Sequence, residues 1–494
     1  MFHLPHLPYL SKTFSVFIFF IFTHFYALNA QNGINYTPLT EDFPQKTASV
    51  DKVNKQYKAI LQSLPSEYRD KYKELYKDMQ KEKVKSIIGN AYLFNDTMQQ
   101  YFKGILTEIN RGNPTIALPN LQFYVSRDYS PNALTSLDGS IAFNLSLLAN
   151  CKNESQVAFI ICHELAHKKL QHPARSVKKM FDVLYSKEGQ NKMKEIANSE
   201  FNTYDKATEY LQNAVYSNRR HGREYEEQAD SMALTFLLNT RYNPQESASA
   251  LLMLDQIDSL MFTPNFDLTQ TFGTPQYPFK KSWIEEEETM FSGGKRVFDG
   301  QMNKDSAKTH PSCISRARLV TNYLKSNATQ SATNSPQNDP TFANIQAKAE
   351  FETLIAAYDF DNVDYALFQT IKSLQTKPNN IFLNAFVGQC LNAVYEGQKQ
   401  HKLSKIVSIP AKTQPKNYLP FLRFLNNMSL SEIATVNYNY LEKQDKNALK
   451  DEFFLFIYLT AAKNANKTEV VKAHKSLYLK AFPKGDYIDI VTKY

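Results

Sequence analysis

The sequence predicts an α+β chain that is mostly helical: a domain with a small sheet, followed by an all-helical, repeat-like domain. Three stretches carry this expectation. Asn153 to His167 is an unbroken apolar-periodic run that contains HExxH. Leu121 to Val125 is β-prone, and Asp138-Gly139 followed by the alternating Ile141 to Asn144 reads as a turn entering a second short strand. Beyond residue 342 apolar residues recur at helical spacing between Pro- and Asn-containing breaks.

Taken in order, the chain opens with Lys12 ahead of an apolar stretch, Phe14 to Phe22, and then Ala27-Leu28-Asn29-Ala30 before Gln31. That is the plan of a secretory signal peptide over residues 1–30, with retention as an N-terminal anchor the weaker alternative. The apolar core is short for a membrane-spanning helix, and no later run reaches about 18 apolar residues. No Cys follows it closely, which argues against a lipid-modified N-terminus. The expectation is an exported chain, periplasmic or secreted, soluble or peripherally membrane-associated.

Val53, Tyr57, Ile60, Leu61 and Leu64 fall on a helical period, Pro65 breaks it, and Tyr68, Tyr72, Leu75, Tyr76 and Met79 resume it. Two amphipathic helices wrapping a core follow from this. Asn95 to Ile109 reads as another helix. The strand pair comes next. A short strand just before a metal-binding helix can pair with the backbone of a peptide, which makes Asn132, Gly139, Ile141 and Phe143 the candidate substrate-binding residues; a plain hairpin is the alternative.

The HExxH run has no Pro or Gly, places Val157, Ile160 and Ile161 on a helical period, and offers Asn153 as a cap with Gln156 three residues on. It predicts a buried helix over about 154–170. Residues four apart lie one above the other on a helix, so the imidazoles of His163 and His167 can share one zinc ion. Glu164 lies beside that ion and suits a general base acting on the attacking water. Two imidazoles and a carboxylate buried without a metal would be costly. Catalytic zinc takes three protein ligands and keeps a fourth position open, so the set is incomplete.

Residues 174–222 read as polar and mostly helical. In the run Arg223 to Leu234, the residues Glu226, Ala229, Asp230 and Ala233 share one helical face. The two alanines would let this helix approach the first closely. Glu226 then becomes the third ligand and Asp230 a carboxylate orienting a ligand histidine. Alone, ExxAD is weak, because most Glu-rich helical stretches are solvated faces; beside HExxH it gains weight. Other third ligands fail by counting. Leu170 and Pro173 stand where a metzincin needs Gly and His, Lys192 stands where a carboxylate supporting Glu188 is expected, and His172 is off the face of His167.

A helix over 243–260 follows Asn243-Pro244. Residues 262–309 are long, with Pro, Gly and aromatics, and read as a lid or binding loop. His310-Pro311 starts a helix ending near Lys325, with Pro311 suited to the first helical position. Residues 326–341 are a polar linker. Residues 342–494 read as helical hairpins of a degenerate tetratricopeptide type, or as a helical domain without a repeat.

The formal charge of +8 is spread over scattered lysines and interrupted by acidic runs such as Glu285 to Glu288, without the basic stripe of a nucleic-acid binder. Four cysteines are too few for a disulfide scaffold.

Together these residues resemble the zinc metallopeptidases of the HtpX/CAAX-protease type, gluzincins with HExxH and a distant ExxAD. The landmarks match in order: Ser130-Pro131-Asn132-Ala133 with Asp138-Gly139, Glu154 ahead of His163-Glu164-Leu165-Ala166-His167, Arg223 before Glu226, Tyr242-Asn243-Pro244, and His310-Pro311 before Arg316. The resemblance covers about residues 85–325 within a peptidase domain of 31–325. It implies zinc on His163, His167 and Glu226, Glu164 as general base, His310 as a transition-state stabiliser or a fourth ligand of a resting site, and Arg223 and Arg316 as supporting charges beside Asp230. The closest plan is that of periplasmic members with a C-terminal helical domain, which implies unfolded envelope proteins or peptides as substrates and protein partners for the helical domain. Membrane-spanning members carry apolar helices that this chain lacks. The rival expectation is a peptidase fold kept as a holdase that acts through its helical domain.

Overall fold

The computed structural model describes residues 36–40, 42–116, 121–199, 203–286, 313–326 and 340–494. The expected signal peptide, His310 and most of the polar linker lie outside these residues. Three helices come first: α1 (Phe43–Gln62), α2 (Arg69–Ile88) and α3 (Asp96–Gly112). The strands β1 (Phe123–Ser126), β2 (Ala133–Thr135) and β3 (Ile141–Asn144) follow, then α4 (Leu145–Asn150), α5 (Glu154–Lys169), α6 (His172–Tyr185), α7 (Lys187–Ala197), α8 (Thr203–Leu238), α9 (Glu246–Met261) and α10 (Leu268–Phe272). After α11 (Cys313–Ser326) the regular elements of the described residues are all helices: α12 (Pro340–Asp359), α13 (Val363–Leu374), α14 (Ile381–Lys399), α15 (Leu419–Asn427), α16 (Leu430–Glu442), α17 (Glu452–Asn464), α18 (Thr468–Ala481) and α19 (Ile488–Val491). The described residues are therefore mostly helical with one small sheet, as the sequence predicts. Among the described residues no helix is long and apolar enough to cross a membrane.

The sheet corrects one expectation. Its order is β1-β3-β2, with β3 parallel to β1 and antiparallel to β2. The turn before β3 needs Gly139, whose φ is +76°, a conformation that glycine reaches without strain. Ser136 N–H bonds the carbonyl of Ser140 and Gly139 N–H bonds that of Ser136, which closes the hairpin. β3 is thus the central strand. Ile141 and Phe143 are fully buried in the core, and Gly139 sits in the turn with its carbonyl taken by Lys168 Nζ at 2.6 Å. None of the three can receive a peptide backbone. The free edge is β2, three residues that carried no strand signal of their own. Asn132 adjoins it, its carbonyl accepting from Asn144 N–H and its Oδ1 from Ala133 N–H.

Val125, Ile141, Phe143 and Ala133 face a core that includes Phe102 of α3 and Val157, Phe159 and Ile161 of α5. Tyr124 and Ala142 face the other way, onto Val53 and Tyr57 of α1 and Ile87 of α2. The α1–α2 pair covers the outer face of the sheet. It is fastened there by Lys83, whose Nζ donates to Asp138 Oδ2 at 2.6 Å and also to Ser140 Oγ. Tyr57 Oη donates to the same Asp138 oxygen at 2.9 Å.

α5 is buried on nearly every side, so its apolar residues do not fall on one stripe. Asn153 caps it, its Oδ1 accepting from Gln156 N–H at 3.0 Å. The start of the helix is fixed further by Tyr242 Oη donating to Glu154 at 3.0 Å and by Asn243 N–H donating to Ser155 Oγ. α8 lies against α5 through Ala229 and Ala233, both fully buried.

The helical domain has its own aromatic core. The segment after α9, expected as a lid, packs onto that core over residues 262–286: Phe272 lies 4.9 Å from Phe424 and Trp283 6.1 Å from the same ring. Lys280 pairs with Glu432 at 2.6 Å. The rest of that stretch is outside the described residues. α12 belongs to both bodies. Phe342, Ile345 and Ala349 complete the core between the sheet and α5, while Phe351, Leu354 and Ala357 belong to the helical one.

Candidate metal centre

His163 and His167 stand one turn apart on α5, and Glu226 reaches them from the middle of α8. Nε2 of His163 and Nε2 of His167 are 3.0 Å apart. Glu226 Oε2 is 3.4 Å from the first and Oε1 is 3.4 Å from the second. These are the His, Cys, Asp and Glu groups among the described residues whose atoms converge closely enough to hold one cation. Donors bound to zinc at about 2.0–2.1 Å in a tetrahedral array lie about 3.3 Å from one another, so the spacing fits.

The outer ring nitrogens strengthen the case. His163 Nδ1 lies 3.0 Å from Asp230 Oδ1. His167 Nδ1 lies 3.0 Å from Nδ1 of His172, whose Nε2 lies 3.2 Å from Gln228 Oε1. With a polar partner beside each outer nitrogen, each imidazole can turn an unprotonated Nε2 towards Glu226 when a metal ion takes the place of the inner proton. Acceptors aimed at one another repel unless a cation sits between them.

The electrostatics point the same way. Burial alone would lower the pKa of His163, but Asp230 and Glu226 overcome it and push the imidazole up to about 10. Burial would raise Glu226, yet His163, His167 and Arg316 hold its carboxyl well below the usual range. Asp230 is likewise lowered against burial, by Arg316 and His163. This is a pocket that concentrates positive charge. Burial, and next the neighbouring His167, bring His172 down to about 4, so it is neutral at physiological pH and able to accept.

Arg316, on α11, locks the carboxylates in place. Its Nε donates to Asp230 Oδ2 at 2.6 Å and its Nη2 to Asp230 Oδ1 at 2.8 Å, and Nη1 lies 2.7 Å from Glu226 Oε2. Such bidentate pairs are geometrically specific. Arg223 was expected in this role and does not take it. It is exposed on α8 and makes no ion pair or hydrogen bond among the described residues.

Glu164 is buried and has a partner that the sequence did not announce. Thr135 Oγ1 lies 2.7 Å from Glu164 Oε2 and 2.7 Å from the carbonyl of Glu164. Thr135 ends the edge strand, so one hydroxyl ties the carboxylate to the place where a peptide backbone can lie. A small apolar hollow beside the site is lined by Ala133, Leu147, Phe159, Leu251 and Leu254 together with His163, Glu164 and Arg316. His172 is the second partner that sequence reasoning missed. It stacks on Tyr225, centroids 4.3 Å apart and planes 9° apart. Cys162 and Cys313 are buried free thiols, as are Cys151 and Cys390.

No curated protein matches the chain. The family model described as peptidase family M48 matches residues 96–323, the span that contributes every residue of the centre just described. Over this span, a little under half of the chain, the sequence matches peptidase family M48, and the match supports a peptidase.

Proposed function

We propose that this chain is an exported, zinc-dependent metalloendopeptidase that cleaves unfolded proteins or peptides. The observation that carries the reading is the acceptor set of His163, His167 and Glu226, with Glu164 held beside it and an open strand edge alongside. When bound there, zinc supplies Lewis-acid polarisation of the scissile carbonyl and lowers the pKa of water towards about 7. Glu164, oriented by Thr135, takes the proton of the attacking water and returns it to the leaving amine. Asp230 and His172 hold the two ligand imidazoles in the tautomer that points Nε2 inward. Arg316 keeps Glu226 and Asp230 ionised.

The edge strand sets the substrate class. β2 pairs with β3 through residues 132, 134 and 136, as the bonds at Asn132 and Ser136 show. Pairing alternates along an antiparallel strand, so the backbone groups of Ala133 and Thr135 point to the free side. An extended peptide can add there as a further strand. A folded protein offers far less accessible extended backbone than an unfolded one, so unfolded chains are favoured. Export rests on the apolar stretch ahead of Ala27 to Ala30, and a role in envelope protein quality control follows from export plus unfolded substrates.

Glu164→Gln is the test. It should lower cleavage of casein by about 10²–10⁴-fold while the bound zinc stays. Cleavage at the wild-type rate would remove Glu164 from the mechanism. A zinc-loaded wild type that never cuts unfolded chains would favour a holdase.

A further inference from the structure

A cleft of about 470 Å³ opens beside Leu134 and Ala142, on the face of the sheet opposite to the one that packs on α5. It is walled by Tyr92, Tyr129, Ser130, Leu134 and Phe360, with Ala142 in its floor. Leu134 connects it to the reaction site. Side chains alternate along a strand. Ala133 lines the hollow beside His163 and Glu164, and Thr135 holds Glu164. Leu134, between them, points to the opposite face and is 44 % exposed. A substrate strand laid on the edge of β2 alternates in the same way. One set of its side chains lies on the metal side, and the next set lies beside Leu134 and reaches the cleft.

The walls state what the cleft accepts. Tyr92 is stacked on Tyr124 at 4.5 Å and Tyr129 packs on Tyr365 of α13 at 4.8 Å, so both rings are held in place. Phe360, at the end of α12, is 38 % exposed. No cationic side chain lines the cleft among the described residues, and its one carboxylate, Asp128, accepts from Ser130 N–H at 2.8 Å and Ser130 Oγ at 2.7 Å. Aromatic and aliphatic walls of this size suit a bulky uncharged side chain, and the acid at the rim disfavours Asp and Glu. Two of the walls depend on the helical domain: Phe360 belongs to it, and Tyr129 leans on its Tyr365.

We infer that this cleft is a specificity subsite for a bulky apolar or aromatic side chain of the substrate, and that Phe360 of the helical domain is its selecting residue. The inference rests on the peptidase reading above and adds to it a side-chain preference supplied jointly by both domains.

The full chain, loaded with zinc, is given a peptide mixture in which each position near the cut carries Phe, Leu, Ala, Lys or Glu, and the products are identified by mass spectrometry. One fixed position should favour Phe and Leu over Ala and exclude Glu. Phe360→Ala should lower the Phe-over-Ala ratio of kcat/KM at that position by about tenfold, within the range that one apolar contact discriminates. Phe360→Asp should move the preference there towards Lys. Phe360 is at a helix end and part-exposed, so melting curves should show both variants folded. If the wild type cuts but its profile at every position is the same in both variants, the subsite is wrong and the peptidase reading stands. If the zinc-loaded wild type cuts nothing in the mixture, both fall.

Discussion

Nδ1 of His167 meets not a carboxylate but a second imidazole, and the difference has consequences. A carboxylate behind a ligand histidine, as Asp230 behind His163, donates charge to it and holds it firmly. His172 is neutral and offers a lone pair, fixed by its bond to Gln228 and its stack on Tyr225. Replacing it with Phe keeps the stack and removes the acceptor. His172→Phe should weaken zinc binding by about 10–100-fold, measured by competition with a chelator, with the fold intact. Unchanged affinity would show that the ring is packing only. This residue was illegible in the sequence for a definite reason. Five positions past His167 is off the helical face if α5 continues. It does not continue: Gln171 adopts a left-handed conformation with φ of 56°, and the chain turns so that His172 heads α6 and swings back to the centre. Glu226 and Asp230, by contrast, were legible because a helical face is a local property that spacing reports.

At the scale of elements, the helices were readable from periodicity and caps, and the sheet was only half readable. β1 and β3 carry β-prone or alternating residues. β2 is three residues long, and nothing local says that it, rather than β3, forms the edge. Strand order is set by pairing between distant residues. Here it is also set by a buried contact from α2. Lys83 and Asp138 are both almost inaccessible to solvent and 2.6 Å apart, holding the turn that presents β2. Burial would raise the pKa of Asp138, but Lys83 and then the bonds from Ser140 lower it below its ordinary 3.8. A depressed carboxylate stabilises the fold at pH values above its unfolded pKa, and this contribution is lost as pH falls through the folded one. Asp138→Asn leaves the Lys83 ammonium buried without a countercharge. At neutral pH it should cost about 3–5 kcal/mol, and the gap from wild type should close on acidification below about pH 4. Denaturant unfolding of both chains at neutral and acid pH checks this; a gap independent of pH would mean the pair is not ionised.

At the scale of the whole molecule, two cores are joined through α12, whose first half completes the peptidase core and whose second half begins the helical one. Glu352, in that second half, accepts from Tyr36 Oη at 2.6 Å and Leu39 N–H at 2.7 Å, and Arg127 at the end of β1 lies 3.9 Å from it. The helical domain therefore clasps both the N-terminal segment and the sheet. The polar linker expected over residues 326–341 lies mostly outside the described residues, and the sharing of a helix between cores was not visible, because an apolar face does not name its partner. Ile345→Ala removes a buried group from the peptidase core at a cost of about 2–5 kcal/mol. Trp283, the single tryptophan, reports on the helical core. If the two bodies unfold as one, its fluorescence transition should move to lower temperature in the Ile345 variant along with that of the peptidase domain. A tryptophan signal that stays put would separate them.

The claim on which the rest depends is that α5 and α8 meet around one zinc ion. X-ray absorption on the purified full chain after dialysis, with metal analysis alongside, tests it directly. The account predicts about one zinc per chain in a shell of two imidazoles and oxygen without sulfur, lost from Glu226→Ala on exposure to a mild chelator. A full chain free of zinc, or zinc held as firmly without the Glu226 carboxylate, would contradict it.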